Sequence, residues 1–186
     1  RIERWRLQLG ARVRMGIQAP GHYLDLRGIL HEHRLRKNEG EMQVMRRAAQ
    51  ISAEAHRKAM VEGRPGSSEN HLEGVIESYF RSEGAERIAY GSIVATGANG
   101  CVLHYINNNS RIEDGDMLLI DAGAEVEGYA ADITTTWPAN GRFGEAQRRI
   151  YEAVLDVQQD LVRRVRAGSS FQALNNEAVR QLTAAM

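Results

Sequence analysis

One cysteine, Cys101, stands in 186 residues, so no disulfide can close within the chain. That suits a reducing compartment, and a cytoplasmic setting is the expectation. No apolar run approaches the roughly 18 residues that a membrane-spanning helix needs, so no membrane role is expected. Basic and acidic side chains balance at 24 each and the formal net charge is zero. A surface built to coat nucleic acid or anionic lipid is therefore not expected either. Neither a low-complexity tract nor a short repeat interrupts the chain. What is present is ordinary for a globular protein, 42% hydrophobic and 26% charged, enough for one sizeable core or for part of a larger one. The chain begins on Arg1 and stops on Thr183-Ala184-Ala185-Met186 within a helical pattern. We expect it to be a segment of a longer protein.

Helical spacing of Ile2, Trp5, Leu9 and Val13, with arginines on the other face, predicts a helix over 1–15 that docks on something nearby. Gly16 to Gly28 reads as loop. A strong helix should start after Asn38, with Glu39 and Glu41 suiting its N-terminal dipole and Met42, Met45, Ala49, Ser52, Ala55 and Ala59 as its inner stripe. It should stop at EGRPGSS (62–68), and a second helix capped by Ser67 or Ser68 should follow, with Leu72, Val75, Ile76, Tyr79 and Phe80 inward. The period then changes. IAYGSIVAT (88–96), Cys101 to Ile106, Met117 to Ala124 and Tyr129 to Thr136 read as strands, with turns at 97–100 and 138–141 and polar loop at 107–116. Helices close the chain at 145–166 and 170–186, split by Gly168 and with Ser169 as the second N-cap. Helices, antiparallel strands, then helices define an α+β layout.

Within LLIDAGAEVEGYAADITTTWP (118–138), Asp121 and Asp132 each sit among apolar neighbours in a strand. Turn residues Val126 and Glu127 would set Asp121 directly opposite Asp132, on one face of a hairpin; a bulge at Gly128 would shift that register by one. Two like charges ~4 Å apart repel by roughly 4 kcal/mol at an effective dielectric near 20. Protonation of one carboxyl, arginine partners, or cations between them would relieve this. Two-metal hydrolytic sites suit such a pair, although two carboxylates alone cannot complete one. The bland alternative is that each Asp caps a turn.

The blocks GANGCVLHY, DGDMLLIDAGAE, GYAADIT and PANGRF, in this order and spacing within 89–143, resemble the catalytic domain of Xaa-Pro aminopeptidases (aminopeptidase P). These are pita-bread metallopeptidases, a group that includes prolidase, creatinase and methionine aminopeptidase. HEHRLRKNEGEMQVMRRAAQISAEAH (31–56) is similar to the segment that opens that domain. The resemblance implies that 31–186 is the first half of a pita-bread catalytic domain, an antiparallel curved sheet with helices on one face. Residues 1–30 would be the tail of a preceding domain and a linker.

The resemblance further implies two divalent ions, usually manganese, held by two Asp, one His and two Glu. Asp121 matches the Asp of the family's DAG motif and Asp132 that of its DIT motif. His104, in LHY, matches a histidine near the substrate, and Tyr90 matches a position near the site; both would bind substrate. Thr135 stands where the family commonly has Arg, with a modest effect expected on local ion pairing. His22, His31, His33, His56 and His71 match no ligand. The remaining His and two Glu, one of them the general base, would lie beyond residue 186, so this segment alone should bind metal weakly and be inactive. The implied activity is release of an N-terminal residue from peptides with proline second, by attack of a metal-bridging hydroxide. The alternatives are a prolidase, acting on Xaa-Pro dipeptides, and a non-catalytic pita-bread module that binds proteins. Expected partners are the Xaa-Pro peptide and further copies of the same chain.

Overall fold

The computed structural model describes residues 1–185; Met186, expected in the last helix, lies outside the described residues. Two compact units divide the chain at Gly40/Glu41. The first contains α1 (Ile2–Gly10), a 3-10 turn (Val13–Met15) and α2 (Leu26–Leu35). Helix α2 was not expected. Asp25 caps it by accepting from Arg27 N–H at 3.0 Å, and Gly28, read as the end of a loop, lies inside it.

In the second unit, α3 (Glu39–Glu62) and α4 (Glu69–Ser82) form where the caps and breakers place them. Ser68 is the α4 cap, accepting from His71 N–H at 3.2 Å. The α3 stripe differs from its expected form: Ala48, not Ala49, is buried, Ile51 and His56 join Ser52, Ala55 and Ala59, and Met42 and Met45 are only half-buried. Small side chains there let the helix approach the sheet closely, and Leu72, Ile76 and Phe80 of α4 join the same core.

Among the described residues all strand pairing is antiparallel. The 88–96 stretch splits into β1 (Arg87–Ile88) and β2 (Ile93–Thr96). The long hairpin splits too, into β3 (Met117–Ala122), β4 (Ala124–Val126), β5 (Tyr129–Ala130) and β6 (Ile133–Pro138). Two three-stranded sheets result, in the orders β1-β4-β5 and β2-β3-β6. Strand β3 alternates strictly: Leu118, Ile120 and Ala122 are buried in the α3/α4 core, while Met117, Leu119 and Asp121 turn to the other face.

No strand forms over Cys101–Ile106. A 3-10 turn (Gly97–Cys101) leads instead into an irregular loop in which Val102, Leu103 and Ile106 are exposed. Apolar alternation alone could not signal that these residues lack a partner strand. Helices α5 (Glu145–Arg164) and α6 (Phe171–Ala185) complete the unit. Ser170, not Ser169, sits at the α6 start, its Oγ accepting from Ala173 N–H at 3.1 Å.

Candidate functional site

The hairpin register differs from the expected one. Val126 pairs with Tyr129, so Glu127 and Gly128 are the turn residues. Both have positive φ, 48° and 76°, as a tight primed turn requires, and glycine supplies this without strain. Asp121 therefore lies opposite Thr134, not Asp132. Asp132 falls in the unpaired step between β5 and β6, on the same face but displaced along the ribbon.

The step is built around Gly123. A Cβ there would lie 1.8 Å from Ala131 O, so only glycine permits this approach of the two backbones. The ribbon stays tied on either side, with Ala131 N–H donating to Ala124 O at 2.9 Å and Ala89 N–H to Gly123 O at 2.8 Å.

Although not directly opposed, the two carboxylates converge on one oxygen. Tyr90 Oη lies 2.5 Å from Asp121 Oδ1 and 3.1 Å from Asp132 Oδ1. A phenol has one proton, so the shorter contact is the stronger donation. Burial, followed by the hydrogen bond to Asp121 and the charge of both aspartates, pushes the Tyr90 phenol above its ordinary range and keeps that proton in place. Tyr90, expected near the substrate, thus lies between the two aspartates.

His104 belongs to the loop between the 3-10 turn and β3, exposed and at a left-handed φ of 54°. That loop is anchored by a residue the sequence reading did not single out. Glu69, in the first turn of α4, is fully buried. Its Oε1 accepts from Thr96 N–H (2.8 Å) and Asn99 Nδ2 (2.9 Å). Its Oε2 accepts from Tyr105 Oη (2.8 Å) and Ser110 N–H (2.8 Å). Burial pushes this carboxyl up, but the bonds from Asn99, Ser110, Thr96 and Tyr105 outweigh it and hold the pKa below the usual glutamate value. Asn108, read as plain loop, is buried as well. It accepts from Val94 N–H at 3.0 Å and donates to Ser92 O at 2.8 Å, standing in for a strand beside β2.

Beneath the aspartates, on the opposite side of β3, lies His56. Its Nε2 is 3.1 Å from Ala122 O and its Nδ1 is 2.7 Å from Thr135 Oγ1. Thr135 therefore makes a neutral hydrogen bond at the position where an altered ion pair was expected.

The chemistry of the pair is that of hard oxygen donors, which suit Mg, Ca or Mn. Among the described residues no group of three or more His, Cys, Asp or Glu side chains could hold a metal ion. Asp121 and Asp132 could contribute oxygen donors to a cation site, and two carboxylates do not complete one.

The hairpin thus brings two carboxylates towards one phenol oxygen, and comparison with known proteins identifies the family. Residues 43–186 match metallopeptidase family M24, and the chain belongs to that family. It is 47% identical to the Xaa-Pro aminopeptidase of Escherichia coli (strain K12), over 90% of this chain and 38% of that protein. The structure of Pseudomonas aeruginosa aminopeptidase PepP superposes with a TM-score of 0.92 at 44% identity, covering 99% of this chain and 42% of the other. Zn-substituted E. coli aminopeptidase P in complex with product gives 0.91 at 44% identity, over 97% and 41%. The pita-bread expectation is met, and the chain spans about two-fifths of the relatives it matches.

Proposed function

We propose that the full-length protein is an Xaa-Pro aminopeptidase that uses divalent metal, namely manganese, in a cytoplasmic setting. The observation that carries this reading is the convergence of Asp121 and Asp132 on Tyr90 Oη, in a chain 47% identical to an enzyme of that name. Asp121 and Asp132 would hold the ions, which supply a Lewis acid and a water of lowered pKa. Tyr90 sets the spacing and direction of the two carboxylates before metal enters. His104 would contact the substrate from a loop whose path is set by Glu69. The general base and the remaining ligands would come from other parts of the protein.

The test is Mn²⁺ titration of the full-length protein and of its Asp121→Asn variant, read both as Mn²⁺ affinity and as release of the first residue from a longer Xaa-Pro peptide. Losing a direct ligand should cost more than the 10–100-fold typical of outer-shell changes. Cleavage confined to Xaa-Pro dipeptides would favour the prolidase reading. An absence of Asp121-dependent Mn²⁺ binding and of hydrolysis would favour the binding-module reading.

A further inference from the structure

A break in a β-ribbon leaves backbone groups that the ladder no longer serves, and buried groups of this kind need partners. Here the break lies between β3 and β4, immediately beside Asp121. Ala122 is still paired with Ile133 in the β3/β6 ladder, but Ala122 O and Ala124 N–H, on either side of Gly123, each meet a side chain from α3. Ala124 N–H donates to Ser52 Oγ at 2.9 Å. Ser52 in turn donates to Ala48 O of its own helix at 2.8 Å. Ala122 O accepts from His56 Nε2 at 3.1 Å. Ser52 and His56 are one helical turn apart, on one face, and are 0% and 2% exposed.

The tautomer follows from the partners. A carbonyl can only accept, so Nε2 carries the ring proton. In a neutral ring Nδ1 is then the acceptor, and Thr135 Oγ1–H donates to it. Burial favours that neutral ring, holding His56 below the ordinary histidine value against the opposing effects of Ala122 O and Asp121. Ala122 faces the core and Asp121 the other side of the strand. His56 and Ser52 therefore act through the backbone and not by touching anything bound at the carboxylates.

We propose that Ser52, His56 and Thr135 are positioning residues for the Asp121–Asp132 pair, bracing the ribbon on either side of the Gly123 break and so fixing where the two carboxylates point. This rests on the metal-site reading above. Its experiment uses the full-length protein and Mn²⁺ alone. Ser52→Ala and Thr135→Val should each weaken Mn²⁺ binding by about tenfold, and Thr135→Ser, which keeps the hydroxyl, should restore it. A core control on α4, Ile76→Val, should lower the melting temperature of the metal-free protein without weakening Mn²⁺. Hydrogen exchange at Ala124 N–H in the metal-free protein should quicken in Ser52→Ala and stay unchanged in the control.

Wild-type Mn²⁺ affinity in both Ser52→Ala and Thr135→Val would overturn the proposal while leaving the metal reading intact. Failure of wild type itself to bind Mn²⁺ through Asp121 would sink the metal reading, and with it the role assigned here. Unchanged exchange at Ala124 in Ser52→Ala would show that the break is held by other means and overturn the proposal independently of metal.

Discussion

Two segments of this chain carry the candidate chemistry, and they are held in opposite ways. The Gly123 break, which sets Asp121 and Asp132, is held by neutral groups: a serine hydroxyl and a histidine whose burial keeps it uncharged. The loop that bears His104 is held by a buried carboxylate with four donors. The difference follows from what each segment lacks. At the break Ala124 N–H meets Ser52 and Ala122 O meets His56, two neutral side chains on one helix face. The loop has no ladder at all between Gly97 and Ser110, and its donors point inward from several directions. Only a carboxylate offers about four acceptor sites at a single point. Charge-assisted bonds are also roughly twice as strong as neutral ones, which offsets the cost of burying the charge.

The largest expected effect comes from closing the break. Gly123→Ala would drive a Cβ into Ala131 O, a contact that no rotamer change can relieve because both partners are backbone. We expect a loss of about 3 kcal/mol or more, at the upper end of single substitutions, measured as a urea midpoint in the full-length protein. A variant of wild-type stability would mean that the two strands can separate at this point, and the neutral supports would then not be what defines it.

Next in size is the loop anchor. Glu69→Gln keeps one oxygen for two of the donors but turns an amide towards the others. Tyr105 can rotate its hydroxyl to accept, whereas Ser110 N–H cannot. A cost of about 1–3 kcal/mol is expected at pH 7. The pH dependence has a definite sign. The folded pKa lies below the ordinary 4.5, so the unfolded chain binds the proton more readily. The stability Glu69 contributes is present above about pH 4.5 and is lost as pH falls through the folded value. Glutamine does not titrate, so the gap between wild type and Glu69→Gln should narrow below pH 4.5. A gap constant from pH 7 to pH 3 would show that the charge is not what holds the loop.

This contrast also marks how far the sequence could be read. Helices α3 to α6 were legible because caps, breakers and spacing are local, as at Asn38, Pro65, Ser68 and Gly168. The aspartates were legible as a pair because alternation put both on one hairpin, and the family motifs gave them their expected role. The register was not, because a Glu-Gly turn needs φ > 0 at Glu127, and a glutamate does not advertise that conformation. The break at Gly123 arises from an approach of two backbones, and Gly123 itself was its only sequence signal. Ser52 was read as one more small residue in a stripe, and His56 as matching no ligand. Their roles depend on strands some seventy residues away. Glu69 carries no local signal, because its burial and its donors come from residues distant in the sequence.

The smallest expected effect tests whether charge or burial makes Glu69 an anchor. Glu125 is also a carboxylate with a strong donor, since Arg87 pairs with it directly across β1 and β4. The Arg87 side chain, however, is 66% exposed, against 16% for Glu125, so water and salt compete for the guanidinium. The guanidinium holds the Glu125 carboxyl below its usual value, yet that interaction is open to screening. Arg87→Ala should therefore lower the melting temperature only slightly at low salt, and the difference should vanish in high salt. The Glu69→Gln deficit, sheltered in the core, should persist under the same conditions. A salt-insensitive loss in Arg87→Ala comparable to that of Glu69→Gln would erase the distinction between an exposed pair and a buried anchor. The strength of the His104 loop would then come from charge alone, with no requirement for the four-donor cage.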